Sequence, residues 1–153
     1  MCAIIYQMNK IRITNKQARF NYELLEDYEA GLMLAGDEIK AIRDRRVNLA
    51  GSYAKILYSK DSKPEVFLVG AHFKSDTIDP YRTRKLLLHK KEITHLLGKI
   101  QEKNLTLVPV TVYMKKGRAK LQISLARGKK NFDKREAIKK RDLERSESRR
   151  IKK

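Results

Sequence analysis

The chain has one cysteine, no tryptophan and only three prolines in 153 residues. Cys2 stands alone, so no internal disulfide can form, and a reducing cytosol suits the chain. No apolar run approaches the roughly 18 residues that a membrane helix needs. The start holds only Ala3-Ile4-Ile5-Tyr6, too short for the apolar part of a signal peptide, and no small-residue cleavage site follows. His72, His89 and His95 have no ligand partners at metal-binding spacing, so no metal is expected. There is no phosphate-cradling glycine loop and no nucleophile elbow. Glu26, Asp27 and Glu136 are carboxylates without a second group tied to them. An enzyme is therefore disfavoured, and no cofactor is implied. Acidic residues are also scarce, 18 against 36 basic ones, which leaves a net charge of +18.

That charge is not spread evenly. Lys129 to Lys153 reads KKNFDKREAIKKRDLERSESRRIKK and carries twelve Lys or Arg against five Asp or Glu. Its apolar residues are too few and too scattered to build a core, so it cannot recover its ordering entropy alone. The expectation is a tail that is disordered when free and becomes helical against a polyanion. The rest of the chain holds enough apolar residues for one domain and is still basic. Such a field attracts phosphate backbones, and no amphipathic stripe with Trp or Phe anchors points to a membrane. The division that follows is a flexible N-terminal arm over 1–14, a folded body over 15–128 and a basic tail over 129–153.

Local patterns fill in the body. Tyr22 to Met33 reads as strand, turn and strand around Gly31. Asp37 and Glu38 suit the first turn of a helix that ends before Asn48. Tyr53 to Tyr58 and Glu65 to Val69 read as a hairpin. Ala71 to Tyr81 reads as a loop. Ile93, Leu96, Leu97 and Ile100 recur at helical spacing and predict a helix over 90–103, capped by His89 with Glu92 and ended at Asn104. Val108, Val110 and Val112, then Leu121, Ile123 and Leu125, alternate as a second hairpin. Lys115 to Arg118 forms its turn, and Pro109 belongs at an edge or bulge. Antiparallel strands with a helix between hairpins suggest an OB-like closed β-barrel with flanking helices, with a two-layer α+β sandwich as the alternative.

The binding signals are cationic. Arg82, Arg84 and Lys85 precede the long helix, Lys115, Lys116, Arg118 and Lys120 crowd the second hairpin, and Lys129 and Lys130 follow it. One such cluster is a solvated face. Three beside a basic tail read as a phosphate-tracking surface, which Lys16, Arg19, Lys40 and Arg43 extend. Phe132 stands within the charged run, flanked by Lys130 and Lys134. It reads as a stacking platform for a base, against the plainer option of folding back on the body.

Three strings carry a family resemblance: NKQARFNYELLEDYEAGLMLAGDEIKAIR (Asn15 to Arg43), DPYRTRKLLLHKKEI (Asp79 to Ile93) and ARGKKNFDKREAIKKR (Ala126 to Arg141). They resemble the SmpB family, the SsrA-binding proteins that partner transfer-messenger RNA in bacterial ribosome rescue. The resemblance implies an OB-like barrel that grips the tRNA-like domain of that RNA. It also implies a tail that enters the empty mRNA channel of the ribosome's small subunit as a helix. Alanyl-tRNA synthetase and elongation factor Tu would be partners through the RNA, and the setting would be cytoplasmic. By motif, Asn15, Glu29, Leu87 and Lys120 match RNA-contacting positions. Gly128, Asp133, Lys134 and Arg135 match the tail root, and Ile138, Lys139, Lys140 and Arg141 continue it. Relatives often have His or Tyr at the position of Phe132, and an Asn caps the helix where this chain has His89. The rival readings are a general OB-fold RNA binder without rescue activity and an RNA-processing enzyme.

Overall fold

The structure, a computed structural model, describes residues 11–151. Cys2 and most of the expected N-terminal arm lie outside those residues. The chain is mainly β with flanking helices. Its strands are β1 (Arg12–Thr14), β2 (Tyr22–Leu32), β3 (Val47–Asn48), β4 (Tyr53–Tyr58), β5 (Pro64–Val69), β6 (His72–Phe73), β7 (Arg84–Leu87), β8 (Thr106–Lys115) and β9 (Arg118–Gly128). Its helices are α1 (Lys16–Asn21), α2 (Gly36–Arg43), α3 (Lys90–Lys103) and α4 (Asn131–Ile151).

Seven strands pair in the order β1-β8-β4-β5-β7-β2-β9, and β9 also pairs with β8, so the pairings of the last six return to their start. The inward phase of these strands packs Ala54, Val66, Leu68, Leu86, Leu107, Val112, Leu121, Ile123 and Leu125 into one core. Strand β8 is buried along nearly its whole length because its outer side is covered too. Ala18 of α1 packs there on Val108 and Ala126.

Several expectations change. Tyr22 to Leu32 is one unbroken strand, and its irregularity is a bulge between Leu24 and Glu26, not a turn at Gly31. Long-range pairing with β9 along this segment outweighs the local preference of a glycine. Arg12–Thr14 pairs with Thr111 to Tyr113, so the body begins before Asn15. The expected loop after Ala71 includes β6, which pairs with β3. His89 makes no side-chain cap bond to α3. By contrast, α3 spans Lys90–Lys103 as its periodicity predicts and ends on Asn104 at φ 53°. The second hairpin turns through Lys116 and Gly117, both at positive φ, the geometry of a two-residue type I′ turn. The register of β8 shifts between Pro109 and Thr111, as a ladder without the proline N–H requires.

The tail stands outside the core. Asn131–Ile151 is a continuous helix of 21 residues, none of them buried. It contains no Gly or Pro, and Glu136 and Lys140 stand at i, i+4 spacing, so local propensity favours it.

Candidate nucleic-acid interface

Two cationic regions stand at opposite ends of the β2–β9 ladder. Gly31 pairs with Lys120 at one end, and Tyr22 pairs with Gly128 at the other. Nine residues of strand separate them, about 30 Å at roughly 3.3 Å per residue.

The first region gathers Glu29, Leu87 and Lys120. Gly31 brings them together, being the cross-strand partner of both Leu87 and Lys120. Glu29 points outward one pleat away. Its carboxylate accepts from the Tyr113 hydroxyl, and the Lys115 Nζ lies 3.5 Å from both of its oxygens. The tyrosine hydrogen bond, helped by Lys115 and Lys120, holds the Glu29 pKa below its ordinary value. Burial and the Glu29 contact push the Tyr113 hydroxyl up to about 12, so it stays a donor across the physiological range. The Arg12 guanidinium lies over the Tyr113 ring, 5.5 Å from its centre. Leu87 is half-exposed, with a solvent-facing side chain beside these charges. A groove of about 1220 Å³ runs past Glu29, Gly31, Lys85, Leu87, Arg118 and Lys120. An ionised carboxylate such as Glu29 can accept from a donor on a base edge, Leu87 is free for an apolar contact, and lysines suit phosphates.

The second region joins α1 to the tail. Lys129 donates through Nζ to the Arg19 carbonyl at 3.0 Å and through its backbone N–H to Asn21 at 2.9 Å. These bonds fix where α4 leaves the sheet. A groove of about 640 Å³ lies between Lys16, Arg19 and Phe20 on one side and Ile138, Arg141 and Arg145 on the other. Arg141 sits over the Phe20 ring, 5.4 Å from its centre. Phe132 is 68% exposed and does not fold back on the body. Lys130, Asp133, Arg135, Lys139 and Lys140 are exposed on or beside α4, and Lys134 is half-buried.

Three expected RNA contacts belong to the interior or its edge. Arg84 is fully buried. Its Nε donates to Glu38, its Nη1 donates to the carbonyls of Ala71 at 3.0 Å and Arg82 at 2.7 Å, and its Nη2 donates to Pro80 at 2.9 Å. Arg82 also donates to Glu38, which leaves it less free than an open surface cation. Asn15 is buried, and its side chain is committed: Oδ1 accepts from the Ala18 N–H at 3.3 Å, capping α1, while Nδ2 donates to Leu49 and Pro109 carbonyls at 3.1 and 3.0 Å. It ties α1 to the bulged part of β8 and positions the surface beside it. Lys40 and Arg43 are exposed on α2 and line neither groove. Lys85 is half-buried and pairs with Glu65 at 3.0 Å. Among the described residues, no group of three or more His, Cys, Asp or Glu side chains is placed to hold a metal. No helix among them is long and apolar enough to cross a membrane.

A family model described as SmpB protein matches residues 12–153. The chain belongs to the SmpB family. An SsrA-binding protein of Mesoplasma florum is 50% identical over 145 residues, covering 90% of this chain and 94% of the relative. One from Persephonella marina is 47% identical over 152 residues, covering 94% and 95%. A chain in the solved structure "tmRNA-SmpB: a journey to the center of the bacterial ribosome" is 41% identical, with a TM-score of 0.64, covering 84% of this chain and 94% of that one. The SmpB match begins at Arg12, the first residue of β1, whereas the motif strings begin at Asn15.

Tyr113, Arg12 and Phe20 are residues that sequence reading missed. Each supports a neighbour rather than standing in a charge cluster. The one legible signal is an aromatic at an outward strand position, Tyr113, two residues before the Lys115 cluster.

Proposed function

We propose that this chain binds the tRNA-like part of transfer-messenger RNA and carries it to stalled ribosomes, where trans-translation tags the unfinished peptide. The separation of two cationic regions by the length of the β2–β9 ladder carries this reading, since one protein then serves two RNA surfaces. The relatives named SsrA-binding protein and the structural neighbour from a tmRNA–SmpB ribosome structure support it. The closed ring of strand pairings supports an OB-like barrel as the rigid body. The Glu29–Leu87–Lys120 end grips the RNA. The tail acts in the small subunit, with Gly128 as the hinge at its root and Phe132 stacking on a base. Helix α4 depends on the ribosomal RNA for its lasting order, because it buries no residue of its own. The protein acts in the cytoplasm, and its part in the process is binding rather than chemistry.

A titration against transfer-messenger RNA tests this, with ordinary tRNA and an unrelated hairpin of similar charge as competitors at two salt concentrations. Preference for transfer-messenger RNA that survives the higher salt is expected. Equal binding to all three, lost together as salt rises, indicates a general RNA binder instead.

Gly31 sets the position of Leu87. A Cβ at Gly31 would stand 3.2 Å from the Leu87 Cβ, and the glycine φ is not positive, so space rather than backbone conformation demands this residue. Gly31→Ala is expected to leave the fold intact and to weaken RNA binding severalfold by displacing Leu87. The same substitution made on a Leu87→Ala background should add little, since both remove one contact. Additive losses in the titration would separate Gly31 from Leu87.

Phe132→Tyr is expected to keep tagging activity, and Phe132→Ala to lower it by the loss of one stacked aromatic, about 1–3 kcal/mol. Equal activity of the two variants in a reconstituted tagging assay would remove stacking from the reading.

A further inference from the structure

On the outward face of β4, β5 and β7, only Leu87 has a role in the reading above. The inward partners of that face, Ala54, Val66, Leu68, Arg84 and Leu86, are all buried. The alternating outward positions form a grid fixed by register. One row runs from Lys55 to Phe67 to Lys85, each directly opposite the next. The adjacent rows hold Leu57 opposite Glu65 and Tyr53 opposite Val69. Directly opposite side chains in antiparallel strands stand roughly 5 Å apart at Cβ, so Phe67 has a lysine on each side. Tyr53 is 44% and Leu57 41% exposed. An apolar patch alone would suit a protein, but these aromatics are interleaved with ammonium groups. Among the described residues, Glu65 pairs with Lys85 alone, and Lys55 is exposed with Phe67, not an acidic residue, opposite it. That alternation suits stacked bases joined by phosphates.

The face also continues the first cationic region. Lys85 and Leu87 are two residues apart on β7 and so share a side of it. Lys63, Glu65, Lys85 and Leu87 all border the groove that holds Glu29 and Lys120. A strand leaving that groove meets Lys85 and then Phe67.

We propose that this outward face is a binding site for a single-stranded RNA segment, its bases stacking on Phe67 and Tyr53 and its phosphates meeting Lys55 and Lys85. The proposal rests on the RNA-binding reading above and extends its footprint from the groove across three strands.

Fluorescence anisotropy on the full chain tests it, with two probes: a short single-stranded oligouridylate and whole transfer-messenger RNA. Phe67→Leu keeps apolar bulk on the strand and removes the stacking ring, and its thermal midpoint is read alongside. At an unchanged midpoint it should weaken oligouridylate binding about fivefold or more. Lys55→Ala should reduce the salt dependence of oligouridylate binding by about one phosphate contact, which a purely structural lysine would not do. Binding of oligouridylate by wild type and Phe67→Leu alike, or an unchanged salt slope, overturns the site. So does binding of transfer-messenger RNA without measurable binding of oligouridylate, and that outcome leaves the rescue reading standing. Dependence on Phe67 and Lys55 without preference for transfer-messenger RNA over other RNA keeps the site and removes the rescue reading.

Discussion

Removal of Asp133 to Lys153 is expected to abolish peptide tagging and to leave affinity for transfer-messenger RNA nearly intact. The geometry behind this is the β2–β9 ladder, which places the tail root at Gly128 and the Glu29–Leu87–Lys120 region at its other end. No residue of α4 is buried, so its loss uncovers no core. Its contact with the body is the Phe20–Arg141 stack and the groove around it. The deletion does remove positive charge, and the long-range attraction it supplies should appear as a modest loss at low salt that shrinks as salt is raised. A gel-shift titration at two salt concentrations, paired with a reconstituted tagging assay, reads both effects. A large loss of affinity that persists at high salt would place the tail in the RNA-binding surface. Tagging by the truncated chain would remove the tail from ribosome function.

Glu38→Ala is expected to destabilise the protein by about 3–5 kcal/mol, because it strands a buried guanidinium. Glu38 is fully buried at the start of α2, where it accepts from the Ala35 N–H at 3.0 Å and from Arg82 and Arg84. Arg84 is also fully buried, closed off from bulk solvent, and lies over the Phe73 ring with its guanidinium carbon 4.1 Å from the ring centre. For a chain of this size the loss corresponds to a fall of about 10 °C in thermal midpoint. Replacing both members, Glu38→Met with Arg84→Met, should recover only part of it. The charges cancel, but the carbonyls of Ala71, Arg82 and Pro80 lose their donor. Full recovery would show that those carbonyl contacts contribute little.

The same pair gives a pH dependence. Burial alone would raise the Glu38 pKa, but the Ala35 N–H and the two guanidiniums outweigh it and hold the carboxyl below its ordinary value. A carboxyl lowered in the folded state adds stability above its unfolded pKa and loses it as pH falls through the folded one. Wild type should therefore lose stability across the acidic range below the ordinary carboxylate value. Glu38→Gln should start lower at neutral pH and fall less steeply there. Parallel acid limbs in denaturant titrations would remove Glu38 from the acid response.

Much of this protein is legible in its sequence. The spacing of Ile93, Leu96, Leu97 and Ile100 placed α3 correctly, because a helix obeys contacts three and four residues away. The lysine-glycine turn placed the second hairpin, because positive φ is a local demand. The excess of positive charge pointed to a polyanion, because a net charge needs no fold to be counted. The motif strings from Asn15 onward carried the family.

Tertiary structure decided what local pattern could not. Arg84 and Lys85 are neighbours in sequence, and only the pleat of β7 turns one into the core and the other to the surface. The phase was visible in hindsight, since Arg84 alternates with Leu86, but a buried arginine is acceptable only when Glu38 and three carbonyls reach it from distant elements. Local pattern makes Gly31 a turn residue, whereas its value lies in the space it leaves for Leu87 on another strand. The motif makes Asn15 an RNA contact, whereas its amide is spent on Leu49 and Pro109, 34 and 94 residues away. Composition and periodicity report what a residue prefers among its near neighbours. Which side chains are buried, paired or left for RNA depends on contacts between residues far apart in the chain, and the fold alone creates those contacts.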